Sequence, residues 1–139
     1  MNKLYFRKEL SFSTNHHEDL IDITSDINAV IVESGLEHGI CNIYVPHATS
    51  GVLVNENDDP NIIEDVLGIL RKMAPKGTFL HDRIDENGDA HVKSAIIGPS
   101  ESIPFNGGIL LLGTWQSLML CEFDGPKYVR KVIVTLLSS

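Results

Sequence analysis

Residues 107–123 read GGILLLGTWQSLMLCEF, and a strand drawn through this run is apolar on both faces. A strand with one solvated face alternates apolar and polar side chains. One without alternation needs a packed layer on each side. The run therefore predicts a two-layer β architecture with a doubly covered strand at 109–123. In so short a chain, one of the two covers is expected to come from another subunit. Immediately upstream, residues 102–105 and the turn pair Asn106-Gly107 make this strand the second arm of a hairpin. Downstream, Asp124-Gly125-Pro126 reads as a turn. A last strand at 128–137 follows, in which Val132, Val134 and Leu136 share a face.

The first part of the chain mixes helices with strands. Residues 3–12 read as a strand, with Leu4, Phe6 and Leu10 on one face and Tyr5 and Arg7 on the other. Asn15 with Glu18 three residues on resembles a capping box. Leu20, Ile23, Ile27, Val30 and Ile31 then fit a helical stripe, which Gly35 ends. Residues 40–46 form a strand stopped by Pro46, and 52–54 a short one. Asp59 followed by Pro60 is a helix start, and Ile62, Ile63, Val66, Leu67 and Leu70 give that helix its buried face. Residues 76–89 are polar and turn-rich. A short helix at 90–97 ends on Gly98-Pro99.

The chain has 139 residues, 42% of them hydrophobic and 22% charged. This suits one globular domain able to bury a core without staples. A net charge of −8 argues against tracking a nucleic-acid backbone, which needs clustered Lys and Arg. It leaves room for a small anionic substrate at a locally basic site. Cys41 and Cys121 both sit in apolar runs and read as buried free thiols in a reducing compartment. No secretory pattern is seen at the N-terminus, and no apolar stretch is long enough to span a membrane. The expected location is the cytoplasm.

Six histidines are present. His16, His17 and His38 fall at predicted helix edges and read as surface. His47, His81 and His91 lie in polar loops or at a helix start. Three imidazoles with carboxylates nearby are a common ligand set for a catalytic divalent metal such as zinc. The spacing matches no short zinc signature, so loop-bracing hydrogen bonds are the competing reading. The loop His47-Ala48-Thr49-Ser50-Gly51 offers the hydroxyls of Thr49 and Ser50 to an anionic oxygen, or is simply a polar turn. Glu56 is a candidate general base, or a carboxylate placed near the next helix start. Asp58 and Asp59 read as capping residues. Trp115 and Gln116 would need polar partners if buried, which suggests a polar pocket or a subunit interface.

Three blocks, VPHATSGVLVNENDDPNIIEDVL, GDAHVKSAIIGPSESIPFNGGILLLGTWQ and CEFDGPK, together resemble the YjbQ-like family. They cover most of residues 45–127 in family order. The resemblance implies an α+β fold of two packed, mostly antiparallel sheets with two or three helices, assembled as a homotrimer. It also implies secondary thiamine-phosphate synthase activity. That reaction joins an aminopyrimidine methyl diphosphate to a thiazole phosphate and releases diphosphate. Carried over position by position, the family's histidines fall on His47, His81 and His91, and its Asn and Glu on Asn55 and Glu56. Two departures stand out. Gly88 replaces a serine, and Lys127 stands where the family often has arginine, so a bidentate grip on phosphate becomes a point charge.

On this reading His47, His81 and His91 hold a divalent metal, and Thr49 and Ser50 cradle phosphate. Glu56 or Asp89 orients a water or handles a proton, while Asn55, Trp115, Gln116 and Lys127 contact substrate. Two alternatives keep the same histidines. One is a metal- or metabolite-binding trimer without turnover. The other is a metal-dependent phosphate-ester hydrolase.

Overall fold

The computed structural model describes residues 4–139, so Lys3, the first residue of the expected N-terminal strand, lies outside the described residues. Among the described residues eight strands and four helices are formed. They are β1 (Tyr5–Thr14), β2 (Asp19–Asp22), α1 (Thr24–Ser34), β3 (His38–Tyr44), β4 (Ser50–Asn55), α2 (Pro60–Met73), α3 (Asp82–Asp85), α4 (Gly88–Ile97), β5 (Ser100–Asn106), β6 (Ile109–Leu110), β7 (Ser117–Glu122) and β8 (Lys127–Leu137). A five-stranded antiparallel sheet has the order β1-β8-β3-β5-β6, and a three-stranded antiparallel sheet the order β2-β7-β4. The α+β class with two antiparallel sheets is as expected.

Strand β7 is covered on both faces, and both covers belong to the same chain. Side chains alternate across a strand. Leu118 and Leu120 join the core made with α1, β3, β5 and β8, through Ile27, Ile31, Ile43, Phe105, Val132 and Val134 among others. Met119 and Cys121 point the other way, into a second core with Leu20, Leu67, Leu70, Ala90 and Phe123. Helices α2 and α4 thus supply the layer that the run alone suggests another subunit provides.

The long strand expected at 109–123 is divided. Its first two residues pair with β5, the chain leaves that sheet at Leu111, and Ser117 begins β7 in the other sheet. A turn at Thr114–Trp115 makes the switch. There the Gln116 side chain accepts the Gly113 N–H at 2.8 Å, and Trp115 is 64% exposed rather than buried. The expected helix from Asn15 also starts late. Residues Asp19–Asp22 pair with β7 as an edge strand, and α1 opens at Thr24, whose N–H is accepted by Asp22 Oδ1 at 2.9 Å. Leu20 and Ile23 fit a helical spacing and a strand-then-turn equally well; pairing with β7 decides for the strand. Elsewhere the punctuation is as read. Gly35 ends α1 at φ +72, and the Asp59 side chain accepts Asn61 N–H with Pro60 leading α2.

Candidate functional site

The functional side chains gather at one end of the three-stranded sheet, where the β3–β4 loop, the β7–β8 turn and α4 meet. Alternation explains how. Extending Leu118 and Leu120 by one step puts Glu122 on the inward face of β7. Extending Val132, Val134 and Leu136 backward puts Arg130 on the inward face of β8. The two charges meet there, with Glu122 fully buried and Arg130 3% exposed.

Their geometry is saturated on the carboxylate side. Arg130 Nε donates to Glu122 Oε1 at 2.9 Å, and Nη2 donates to Oε2. Thr14 Oγ1 donates to Oε1 at 2.7 Å and Asp124 N–H to Oε2 at 3.0 Å. Burial pushes the Glu122 carboxyl up. The Arg130 and Thr14 hydrogen bonds, the Asp124 N–H and the guanidinium charge outweigh it, so the group lies below the usual carboxylate range. Arg130 Nη2 also donates to the carbonyl and hydroxyl oxygens of Thr49 at 3.1 and 3.0 Å, which fixes the loop that carries His47. No hydrogen bond occupies Arg130 Nη1 among the described residues.

His47 Nε2 accepts the backbone N–H of Lys131 at 2.8 Å. A neutral imidazole has one acceptor nitrogen, so the proton sits on Nδ1. Desolvation lowers the pKa of this ring, and Arg130 lowers it further, followed after the opposing pull of Glu122 by Lys131 and Lys127. The bond from the Lys131 N–H, which only an unprotonated Nε2 can accept, and the lowered pKa both favour the neutral ring. Together with Ser50, His91 and Ser94 it lines an open cleft of about 300 Å³. His91 and Ser94 lie three residues apart on one face of α4. Ser94 Oγ is buried without a hydrogen-bond partner. The Ser50 hydroxyl is already engaged, donating to the Cys121 carbonyl at 2.6 Å.

His81 and His91 are brought together, with ring centroids 4.4 Å apart in an edge arrangement. His81 Nε2 is buried without a hydrogen bond and lies 3.8 Å from Asp85 Oδ2. His47 does not complete a three-histidine chelate with them, because its acceptor nitrogen is taken by Lys131. Among the described residues no group of three or more His, Cys, Asp and Glu side chains is placed to hold a metal ion. The three-histidine set does not fit a metal in this arrangement.

Asp89 is turned away from the cleft. It is 2% exposed and accepts from Lys93 Nζ at 2.9 Å, while Lys93 also donates to Glu18 at 2.7 Å. Lys127 Nζ lies 3.6 Å from Asp124, whose carboxylate accepts from Asn87 Nδ2 at 2.9 Å, tying the β7–β8 turn to the start of α4. Asn55, Glu56, Trp115 and Gln116 are elsewhere. Register pairs Ser50 with Glu122 and Asn55 with Ser117. Five residue steps along β4 put this second group about 17 Å from the His47 end. Trp115 there shares a shallow cleft with Asp22, Asn57, Asp58, Thr114 and Ser117.

Arg130, Ser94, Asn87 and Asp124 were not singled out as site residues from sequence. A signal for Arg130 did exist: it falls in phase with three buried aliphatic residues of its own strand.

An α+β protein with two antiparallel sheets and a histidine-bearing cleft at one sheet end is the class these observations define. Comparison with known proteins gives the family. The model described as UPF0047 protein YjbQ-like matches residues 8–139, and the chain belongs to that family. A UPF0047 protein of Methanocaldococcus jannaschii is 43% identical over 126 residues, covering 90% of this chain and 88% of the relative. UPF0047 protein YugU of Bacillus subtilis is 38% identical, covering 86% and 91%. Among solved structures, a YbjQ-like protein of unknown function from Sulfolobus solfataricus superimposes with a TM-score of 0.92 at 31% identity, covering 97% of this chain and 98% of that one. A YjbQ/UPF0047 protein from Clostridium acetobutylicum, the ortholog of YugU, gives 0.88 at 39% identity, covering 94% and 99%.

No helix among the described residues is long and apolar enough to cross a membrane.

Proposed function

We propose that this chain is a transferase acting on phosphate-bearing small molecules at the His47–His91 cleft, of the secondary thiamine-phosphate synthase type. The observation that carries the reading is a cleft of about 300 Å³ in which His47, with Nε2 engaged by the Lys131 N–H and Nδ1–H free, lies with His91 and the unpartnered hydroxyl of Ser94. Hydrogen-bond donors without partners of their own in such a cleft are suited to a small anion. In the reaction the carbon–oxygen bond to diphosphate breaks as a carbon–nitrogen bond to the thiazole forms, and diphosphate leaves with the electron pair. The main service required is stabilisation of that charge. His47 Nδ1–H and the Ser94 hydroxyl are the donors in the cleft available for it. His91, on the facing wall, is the group placed to hold or move a proton.

A homotrimer belongs to the same reading. Asn55, Glu56, Trp115 and Gln116 cannot reach the same small molecule as His47 within one subunit, so they would serve it only from a neighbour. The test supplies both substrates to purified protein and assays thiamine phosphate. Product is expected, with loss on His91→Ala. Mixed refolding of His91→Ala with Trp115→Ala subunits should restore part of the activity. Binding of diphosphate without product would favour a module without turnover, and release of phosphate from simple esters would favour the hydrolase.

A further inference from the structure

At the end of β1 and the start of β8, where Thr14 bonds both Glu122 and the Lys127 N–H, lies a cavity of about 430 Å³, lined by Ser13, Thr14, Asn15, Pro126, Lys127 and Tyr128. Its volume falls in the range of small-molecule sites. Its floor is fixed. Thr14 Oγ1 accepts the Lys127 N–H at 2.8 Å while donating to buried Glu122, and Ser13 Oγ donates to the Tyr128 carbonyl at 2.9 Å. Three groups in its wall are unspent. Tyr128 is 95% exposed, so both faces of its ring are open. The Asn15 carboxamide makes no hydrogen bond among the described residues, which leaves a donor and an acceptor side by side. Lys127 Nζ has one loose partner, Asp124 at 3.6 Å.

We propose that this cavity is the ring subsite of the transferase cleft. It would bind the planar heteroaromatic part of a phosphate-bearing substrate, with the ring stacked on Tyr128, its polar edge on Asn15, and its anionic group reaching Lys127. The inference rests on the phosphate reading above and adds the location and chemistry of the second half of the ligand. An aromatic face beside an amide reads a flat heterocycle, because stacking tolerates any ring and the amide matches its nitrogen edge. Lys127 links this cavity to the helix that carries His91, because its Nζ lies 3.6 Å from Asp124, which accepts from Asn87 at the start of α4 at 2.9 Å.

Calorimetric titration of the full chain with phenyl phosphate, glycerol 3-phosphate, inorganic phosphate and benzyl alcohol separates the two claims. Phenyl phosphate is expected to bind about tenfold tighter than glycerol 3-phosphate, which carries the same charge without a ring. Tyr128→Ala should abolish that preference and leave inorganic phosphate affinity unchanged, and Tyr128→Phe should keep it. Equal affinity of the two esters for the unmodified chain, or a preference that survives Tyr128→Ala, overturns the ring subsite. If inorganic phosphate fails to bind but benzyl alcohol binds in a Tyr128-dependent way, the ring subsite stands and the phosphate reading falls. If neither ring-bearing probe binds, the ring subsite is overturned.

Discussion

Replacing Arg130 by methionine tests the buried ion pair on which the His47 loop rests. Glu122 has no exposed surface and takes four donors, two of them from Arg130. Arg130→Met leaves Thr14 Oγ1 and the Asp124 N–H in place, so the carboxylate stays buried with half its donors and no countercharge. Each lost charge-assisted hydrogen bond is worth about 1.5–3 kcal/mol. The sum agrees with the roughly 3–5 kcal/mol expected for unpairing one member of a buried ion pair. For a chain of this length that is a fall in melting temperature of about 10–17 °C. Removing both charges, as Arg130→Met with Glu122→Leu, should recover much of the loss, because no unpaired charge then stays inside. Urea unfolding of the single and double variants, with the denaturant slope checked for constancy, gives the numbers. A single variant within about 1 kcal/mol of the parent, or a double variant no better than the single, would refute the argument that unpairing sets the cost.

Three other outcomes are expected. Gly88→Ser adds a Cβ that meets Phe79 Cβ at 2.6 Å and Asp82 Oδ1 at 3.0 Å. It should destabilise by about 1–3 kcal/mol in thermal or urea unfolding, as overpacking does. Lys93→Met strands Glu18 and Asp89 without their shared ammonium, though Arg71 still reaches Glu18. A loss of about 3 kcal/mol should appear in the same assay. His47 has a folded pKa below its ordinary 6.5, so the folded state takes up fewer protons than the unfolded chain just below that value. The stability this ring contributes is then complete above pH 6.5 and lost as pH falls beneath it. Unfolding midpoints at pH 7 and pH 5.5 should move closer together in His47→Gln than in the parent chain.

Local chemistry made much of the fold legible. The Asp59-Pro60 start, the Gly35 stop and the alternation of Val132, Val134 and Leu136 act through near neighbours, and each is found as read. What could not be read depended on contacts made across the fold. Residues 19–22 are a strand only because β7 lies beside them, and the run at 109–123 breaks because its two ends belong to different sheets. Double burial of β7 was visible as a pattern, but nothing in the run itself says that α2 and α4 provide the cover.

The site divides along the same line. The loop that holds His47 and the histidine on α4 converge on one cleft. The second polar group at Asn55, Glu56 and Trp115 looks continuous with the first in sequence, yet the length of β4 sets it at the opposite sheet end. Asp89 looks free in sequence and is tied down by Lys93, a partner one helical turn away whose burial no pattern announces. The hydroxyls of Thr49 and Ser50 are likewise engaged, by Arg130 and the Cys121 carbonyl.

The most direct test of the central claim is the affinity of diphosphate for the purified chain at low ionic strength, compared with His47→Ala and Trp115→Ala. If the anion site lies in the cleft shared by His47, His91 and Ser94, the parent and Trp115→Ala bind diphosphate alike, and His47→Ala binds it at least tenfold more weakly. Undiminished binding by His47→Ala, or a loss confined to Trp115→Ala, would place the anion at the other end of the sheet and contradict the account.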